Sequence, residues 1–481
     1  MRGSDEMTVE ELLQQNEGKT LDFKRDLSGL DGIIKTVISF ANTAGGDILV
    51  GVEDDGTVVG LDEDPVSYEE TLSRAIQDKI KPPISADISF HTHEGKTLLL
   101  LKVPHVRQGP FHIESKGLEE GTFFRYGSTS SRAEPEVIRE LERWRDALDY
   151  SQEPIPELDR EALDLDRAQQ LFDERRIDVD DVKYKSLNVL ADHGEDLVPT
   201  NGGVILFGRD PQARFPDARF RCAAFDGTDK ATFRVTKDIE GSLINALTEV
   251  PAFVDHVTLG TVVVEEMQNQ AVSEYPALGI REALVNAIAH ADYARRGTPL
   301  SLSVFDDRLE IINPGSLPFG MTIERLRQGE STIRNRALAR VFNTLGYMEE
   351  WGSGYQRIIK ACRDGGYPEP MWEDTGNIIR VTFYPHPRVR AQAESATQSA
   401  NGERNGGKNG GLADRPSKEQ RVEELLQAVR EMDKPTAKDL RERTGITERT
   451  LDRYISELTA DDKIERIGSR RDGYYVVREG S

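Results

Sequence analysis

Glu282, Asn286 and His290 fall four residues apart within "REALVNAIAH", whose remaining positions are largely alanine, leucine, valine and isoleucine. On a helix that spacing stacks a carboxylate, an amide and an imidazole along one face. Polar groups on an otherwise apolar helix need partners, because burying them unsatisfied is costly. Two readings are open. Either the row faces a ligand, or Glu282 pairs with Arg281 or Arg296 while Asn286 satisfies a buried backbone group.

The helix needs elements around it. "TPLSLSVFDDRLEIINPG" reads as a two-stranded hairpin that turns at Asp306-Asp307 and ends in Asn313-Pro314-Gly315. "STIRNRALARVF" follows, and then "GYMEEWGSGYQRIIKAC" sets Gly352, Ser353 and Gly354 ahead of a further helix. A Glu-x-x-x-Asn helix, a hairpin closed by a glycine turn and a glycine-rich helix entry, in that order, resemble the GHKL ATPase superfamily. The segment is most similar to the divergent GHKL-type domain that accompanies Schlafen-type domains in prokaryotic transcriptional-regulator proteins. That resemblance implies an α/β sandwich that binds ATP and Mg²⁺. It implies Asn286 as the metal ligand and Glu282 as the residue that positions or deprotonates the attacking water. Gly352, Ser353 and Gly354 would bring backbone amides to the phosphates. Asn313, with Gly315 in the same turn, stands where an aspartate usually receives the adenine amino group. His290 and Tyr293 match only the divergent family's H-x-D-Y, and no role is assigned to them.

"NEGKTLDFKRDLSGLDGIIKTVISFANTAGGDILVGVEDDGTVVGL", from Asn16 to Leu61, reads as strand, helix, tight glycine turn and buried strand. With "GTFFRYGSTSSRAEP" it closely resembles the Schlafen-type (Alba-like) nucleic-acid-binding domain. Some relatives in that family are ribonucleases built on three carboxylates. The matching positions are Glu17, Asp22 and Glu53, which on this resemblance would hold a divalent metal; the other reading is an ion-pair cluster with Lys24. "EGKT" at Glu17 to Thr20 is not a P-loop, since Leu13 stands where the first glycine is required and a strand follows.

Near the C-terminus, "SKEQRVEELLQAVREM" places Val422, Leu425, Leu426 and Val429 on one side of a helix. "PTAKDLRERTG", "ITERTLDRYISELTADD" and an alternating "KIERIGSRRDGYYVV" around Asp472-Gly473 follow. This order closely resembles a winged helix-turn-helix. The resemblance implies that Arg449, Thr450 and Arg453 face the major groove and that Arg466, Arg470 and Arg471 reach phosphates. A winged helix used for protein contacts is the alternative.

Composition bounds the rest. A chain of 481 residues is long enough for about three domains of ordinary size. The net charge of −23 excludes a uniformly basic protein but leaves local basic faces open. No apolar run is long enough for a membrane span, "MRGSDEMTVEELLQQ" lacks the apolar core of a signal peptide, and two distant cysteines make no disulfide framework. A cytoplasmic location follows as the expectation.

"QAESATQSANGERNGGKNGGLADRPS" is too polar to pack and reads as a linker. The expected organisation is therefore multidomain α/β (α+β). A Schlafen-type domain takes residues 1–150, a connecting subdomain 151–275, a GHKL-like α/β sandwich 276–390, a linker 391–417 and a winged helix 418–481. The function expected is an ATP-responsive regulator on double-stranded DNA, with RNA as a second candidate partner, acting as a homo-oligomer. The alternative is a nucleotide-gated, metal-dependent nuclease in defence against foreign nucleic acid. Whether ATP is hydrolysed is left open.

Overall fold

The computed structural model describes residues 7–62, 64–258, 260–265, 268–348, 353–391, 425–430, 432, 434–444, 451, 454–455, 458–459, 463–467 and 474–477. Residues 1–397 form one compact unit and residues 398–481 a second.

The first unit opens with α1 (Val9–Leu13), whose N-terminus is closed by a reciprocal pair: Thr8 accepts from the Glu11 amide and Glu11 from the Thr8 amide. Strand β1 (Leu21–Lys24), helix α2 (Leu30–Thr43), strand β2 (Gly46–Val50), helix α3 (Pro65–Lys79) and the hairpin of β3 (Asp87–His93) and β4 (Lys96–Val103) follow. They build a sheet in the order β1-β2-β4-β3, with β1 parallel to β2 and the other pairs antiparallel. Strand alternation covers both faces. Ile48, Val50, Leu99 and Leu101 pack with α2 and α3, while Leu49, Leu98 and Leu100 meet Val9 and Leu12 of α1.

The hairpin of β5 (Phe123–Tyr126) and β6 (Thr129–Arg132) then leads into α4 (Pro135–Arg145). Arg125 braces this half. Its side chain is 2% exposed and lies 2.8 Å from the Asp22 carboxylate. It also donates to Gly18 O at 3.0 Å and Ser130 Oγ at 3.1 Å, and stands over the Phe40 ring at 5.0 Å. Lys24 pairs with Asp22 from the other side.

The second half is a two-layer sandwich. Its strands are β7 (Phe220–Phe225), β8 (Phe233–Ile239), β9 (Leu300–Val304), β10 (Leu309–Pro314), β11 (Met371–Asp374) and β12 (Ile378–Phe383). The sheet order is β8-β7-β9-β10-β12-β11, with β7 parallel to β9 and the other pairs antiparallel. Helices α5 (Asn201–Phe207), α6 (Ala277–His290), α7 (Arg336–Thr344) and α8 (Gly354–Asp364) share one apolar core with the sheet. That core runs from Ile155 to Phe383.

The division expected at residue 275 therefore has no counterpart in the packing. Strands from both sides of it belong to one sheet, because Phe220–Phe225 pairs directly with Leu300–Val304. The polar segment around Lys237 is an exposed edge strand of that sheet. Cys222 and Cys362 are buried free thiols in the core.

The two halves are joined by specific contacts. Lys19 Nζ lies 2.7 Å from Asp374 Oδ2, Gly320 N donates to Thr43 O at 2.8 Å, and Phe319 meets the rings of Phe124 and Trp144 at 6.0 and 5.8 Å.

In the second unit, helix α9 (Ala437–Thr444) begins where Asp439 accepts from the Thr436 amide and hydroxyl at 2.9 and 2.7 Å. Strands β13 (Ile464–Ile467) and β14 (Tyr474–Val477) pair antiparallel. Leu425, Leu426 and Val429 belong to its core, as their helical spacing predicts, together with Leu451, Ile455 and Leu458; Val422 lies outside the described residues. Residues 392–417 of the expected linker lie outside the described residues, and no described helix is long and apolar enough to cross a membrane.

Arg125→Met should leave Asp22 with Lys24 as its remaining cation and cost roughly 3–5 kcal/mol in chemical denaturation, the penalty for breaking a buried pair from one side. Adding Asp22→Leu should recover most of that loss. A single variant as stable as the native chain would rule out the brace.

Candidate functional site

Helix α6 is buried on most of its circumference, with Ala283, Leu284, Val285, Ala287, Ile288 and Ala289 all in the core. Its polar row opens into a cleft enclosing about 1010 Å³ including its mouth. Glu282, Asn286 and His290 line it from the helix; Ile311, Asn313, Ile379 and Val381 line it from β10 and β12. Leu317, Pro318, Met321 and Ile333 come from the connections, and Gly354, Tyr355 and Ile358 from α8. Glu282 and Asn313 are each buried to 6% exposure. The walls are thus mostly apolar, with a few polar groups spaced among them.

The start of α8 presses on the polar row. A side chain on Gly354 would place its Cβ 2.9 Å from Asn286 Nδ2 and 3.0 Å from Glu282 Oε1. Only glycine lets the helix N-terminus, the positive end of its dipole, come this close. Arg357, on the same helix, lies 3.4 Å from Glu282 Oε2. The ion-pair partners expected for Glu282 were Arg281 and Arg296. The fold instead puts the Arg281 guanidinium over the Tyr347 ring at 5.3 Å.

Gly315 has a different task from the one expected. It does not line the cleft. At φ +90° a Cβ there would fall 2.2 Å from Arg334 NH1 and 2.8 Å from Asp292 Cβ. Arg334 uses that space to donate to Ser316 O at 2.8 Å, and it lies 3.4 Å from Glu140 on α4 and 3.9 Å from Asp292. Asn335 donates to Ala289 O and Ala291 O at 3.0 and 2.7 Å, fixing the end of α6. Tyr293 does the same through its hydroxyl, 2.8 Å from Ile288 O. The H-x-D-Y segment thus anchors the helix that carries the polar row. Arg334, Asn335, Ser316, Arg357 and Asp374 had no assigned role in the sequence. The only local signal was the polar "RNR" in front of an apolar helix.

His290 lines the cleft, and its Nδ1 is buried without a hydrogen-bond partner. Burial, helped by the charge of Arg334, holds its pKa down at about 4. The ring is therefore neutral at physiological pH.

The three carboxylates of the N-terminal half are not gathered. Glu17 accepts from the Phe23 amide at 2.7 Å, Asp22 is held by Arg125 and Lys24, and Glu53 pairs with Arg25. Among the described residues no group of three or more histidine, cysteine, aspartate or glutamate side chains is placed to hold a metal. Backbone and cation partners outcompete the expected cluster. Gly352 lies outside the described residues, as do Arg449, Thr450, Arg453, Arg470 and Arg471; Ser353 occupies the N-cap of α8 and Arg466 lies in β13.

Two family models match the chain. Residues 17–134 match the one described as "Schlafen, AlbA_2", and residues 297–383 match the one described as "Putative ATP-dependent DNA helicase recG C-terminal", of HATPase type. The second match begins after α6. It takes in Asn313 and Gly354 but not Glu282 or Asn286, whose place in the site rests on geometry. A solved structure of the DIP2311 protein from Corynebacterium diphtheriae is similar at 17% identity over 99% of this chain and 97% of that one, with a TM-score of 0.40. The N-terminal domain of a helicase RecG-related protein from Nitrosomonas europaea is similar at 26% identity over 27% of this chain and 95% of that one, with a TM-score of 0.21. No curated protein matches. The chain is a multidomain α+β protein with an AlbA_2-type domain and an ATPase-like domain, consistent with ATP binding and an association with nucleic acid.

The depressed pKa of His290 makes a pH prediction. As pH falls from about 6.5 towards about 4, the unfolded chain takes up a proton that the folded chain refuses. Stability from this group is complete above that window and declines through it, by at most about 3 kcal/mol. Urea unfolding at stepped pH should show the decline, and His290→Gln should lack this part of it. An unchanged pH profile in the variant would mean the imidazole is solvated.

Proposed function

We propose that the α6–α8 cleft binds ATP with Mg²⁺, and that the chain is a DNA-binding regulator whose state responds to that nucleotide. The observation that carries this reading is a single mostly apolar cleft that gathers Glu282, Asn286, Asn313 and the glycine start of α8. Flat aliphatic walls from Ile311, Ile379 and Val381 suit the faces of a purine, and the buried amide of Asn313 can hydrogen-bond its edge. The N-terminal amides of α8 suit phosphate oxygens.

An amide oxygen and a carboxylate are hard donors, and one or two of them with phosphate oxygens make an ordinary Mg²⁺ site. Asn286 would hold the ion, which supplies neutralisation of phosphate charge when bound, and Glu282 lies one turn away on the same face. Arg357 shapes what Glu282 can do. A guanidinium fork fits phosphate as well as carboxylate. Phosphates beside α8 offer Arg357 a second partner and leave Glu282 to take a proton from water.

For DNA, the support is the helix and strand-pair order of residues 425–477 together with the arginines at positions 449, 453, 466, 470 and 471. Those side chains supply the duplex contacts in this reading, and transcriptional regulation follows from a reader coupled to a nucleotide. No observation favours the nuclease reading, since Glu17, Asp22 and Glu53 are each engaged elsewhere.

Calorimetry with ATP and Mg²⁺ on two variants tests this. Asn286→Ala should abolish Mg²⁺-dependent binding with the fold intact. Glu282→Ala should keep binding while any turnover falls roughly hundredfold or more. If instead both variants lose thermal stability without nucleotide and neither separates binding from turnover, the polar row is structural.

A further inference from the structure

Two recesses meet where α4 of the N-terminal half packs on the 292–298 and 332–336 segments of the second half. They enclose about 1420 and 920 Å³ including their open mouths, and they share Arg143, Tyr150, Asp292 and Tyr293, so they form one groove. The walls are rich in arginine although the chain carries a net charge of −23.

The carboxylates of the groove are committed within the fold. Glu134, Glu136 and Glu140 pair with Arg295, Arg139 and Arg334 at 3.5, 2.7 and 3.4 Å. Asp149, Asp217 and Asp292 accept from the backbone amides of Ser151, Gly297 and Ala294 at 2.8, 2.6 and 3.2 Å. Four arginines of the same walls, Arg107, Arg143, Arg296 and Arg336, have no ion pair with a described carboxylate. Two of them lie on aromatic rings: Arg107 is 5.6 Å from the centroid of Trp144 and Arg143 is 5.1 Å from that of Tyr150. The carboxylates are thus engaged within the fold, three of them by arginines, while these four guanidinium groups line the groove.

Guanidinium groups match phosphate oxygens in pairs, and aromatic rings beside them offer surfaces to unstacked bases. Recesses of this size, walled by two halves of one unit, suit a flexible backbone that enters one nucleotide at a time. A rigid duplex presents its phosphates on a convex rod. We propose that this groove binds the backbone of single-stranded nucleic acid, as a site separate from the duplex contacts of residues 449–471.

Fluorescence anisotropy on the full chain tests this with labelled oligo(dT), labelled oligo(U) and a labelled duplex. Arg143→Ala with Arg296→Ala should weaken single-strand binding by roughly tenfold or more and flatten its log–log salt dependence by about 1.4, the slope of two phosphate contacts. Duplex binding should stay as in the native chain. Replacing the same two residues by lysine should restore the salt dependence, since the charge returns, but only part of the affinity, since lysine lacks the paired guanidinium fork. Binding of one oligonucleotide alone supports the site and identifies its sugar. The proposal is overturned if the native chain binds neither oligonucleotide at low salt, if the alanine pair binds them as the native chain does, or if duplex and single-strand binding fall together.

Discussion

One buried carboxylate holds the two halves of residues 1–397 in register. The Asp374 side chain is 6% exposed, and its Oδ2 receives Lys19 Nζ at 2.7 Å, Ser316 Oγ at 2.9 Å and Leu317 N at 3.4 Å, while Oδ1 receives Gly376 N at 2.9 Å. A buried charge this far from water is tolerable only when its lone pairs are filled. Lys19 precedes the first strand of the N-terminal half, Asp374 ends the edge strand of the second, and Ser316 lines the cleft. The carboxylate therefore fixes the connection from Gly315 to Thr322, which is held again where Gly320 donates to Thr43. The wall of the cleft is shaped in part by the N-terminal half.

Within that frame the cleft uses a small number of polar groups in an apolar setting. Helix α6 is anchored at its end by Asn335 and Tyr293, so the row from Glu282 to His290 cannot rotate away. Gly354 lets α8 close on the row, and Arg357 occupies Glu282. The arrangement is prepared in advance, which lowers the ordering entropy that a charged ligand must overcome. A neutral His290 adds hydrogen-bonding capacity without adding a charge that would itself need a partner.

What the sequence made legible was local. Spacing along α6 located the row, alternation located the β9–β10 hairpin, and the periodicity around Leu425, Leu426 and Val429 located part of the core of the second unit. The segment after the glycine turn also read as a buried strand, and its neighbours do fill both of its faces. Other features depended on partners distant in the chain. Asp374 meets a lysine 355 positions away, and Asp22 meets an arginine 103 positions away. No local pattern marks such pairs, which is why the three carboxylates stayed open between a metal cluster and an ion-pair cluster with Lys24, the pairing Asp22 does make, and why a continuous sheet read as two domains. Gly315 misled for a related reason. A glycine needed by a ligand and one needed by a distant arginine look alike in the chain.

The central claim is that a nucleotide base lies against the β10–β12 wall beside Asn313 with its phosphates at α8. Photolabelling with an azido-purine analogue of ATP in the presence of Mg²⁺, followed by peptide mapping, tests this most directly. The account predicts label in peptides spanning residues 311–333 or 371–381, removed by excess ATP. Label confined to other peptides, or label that excess ATP does not displace, would contradict it.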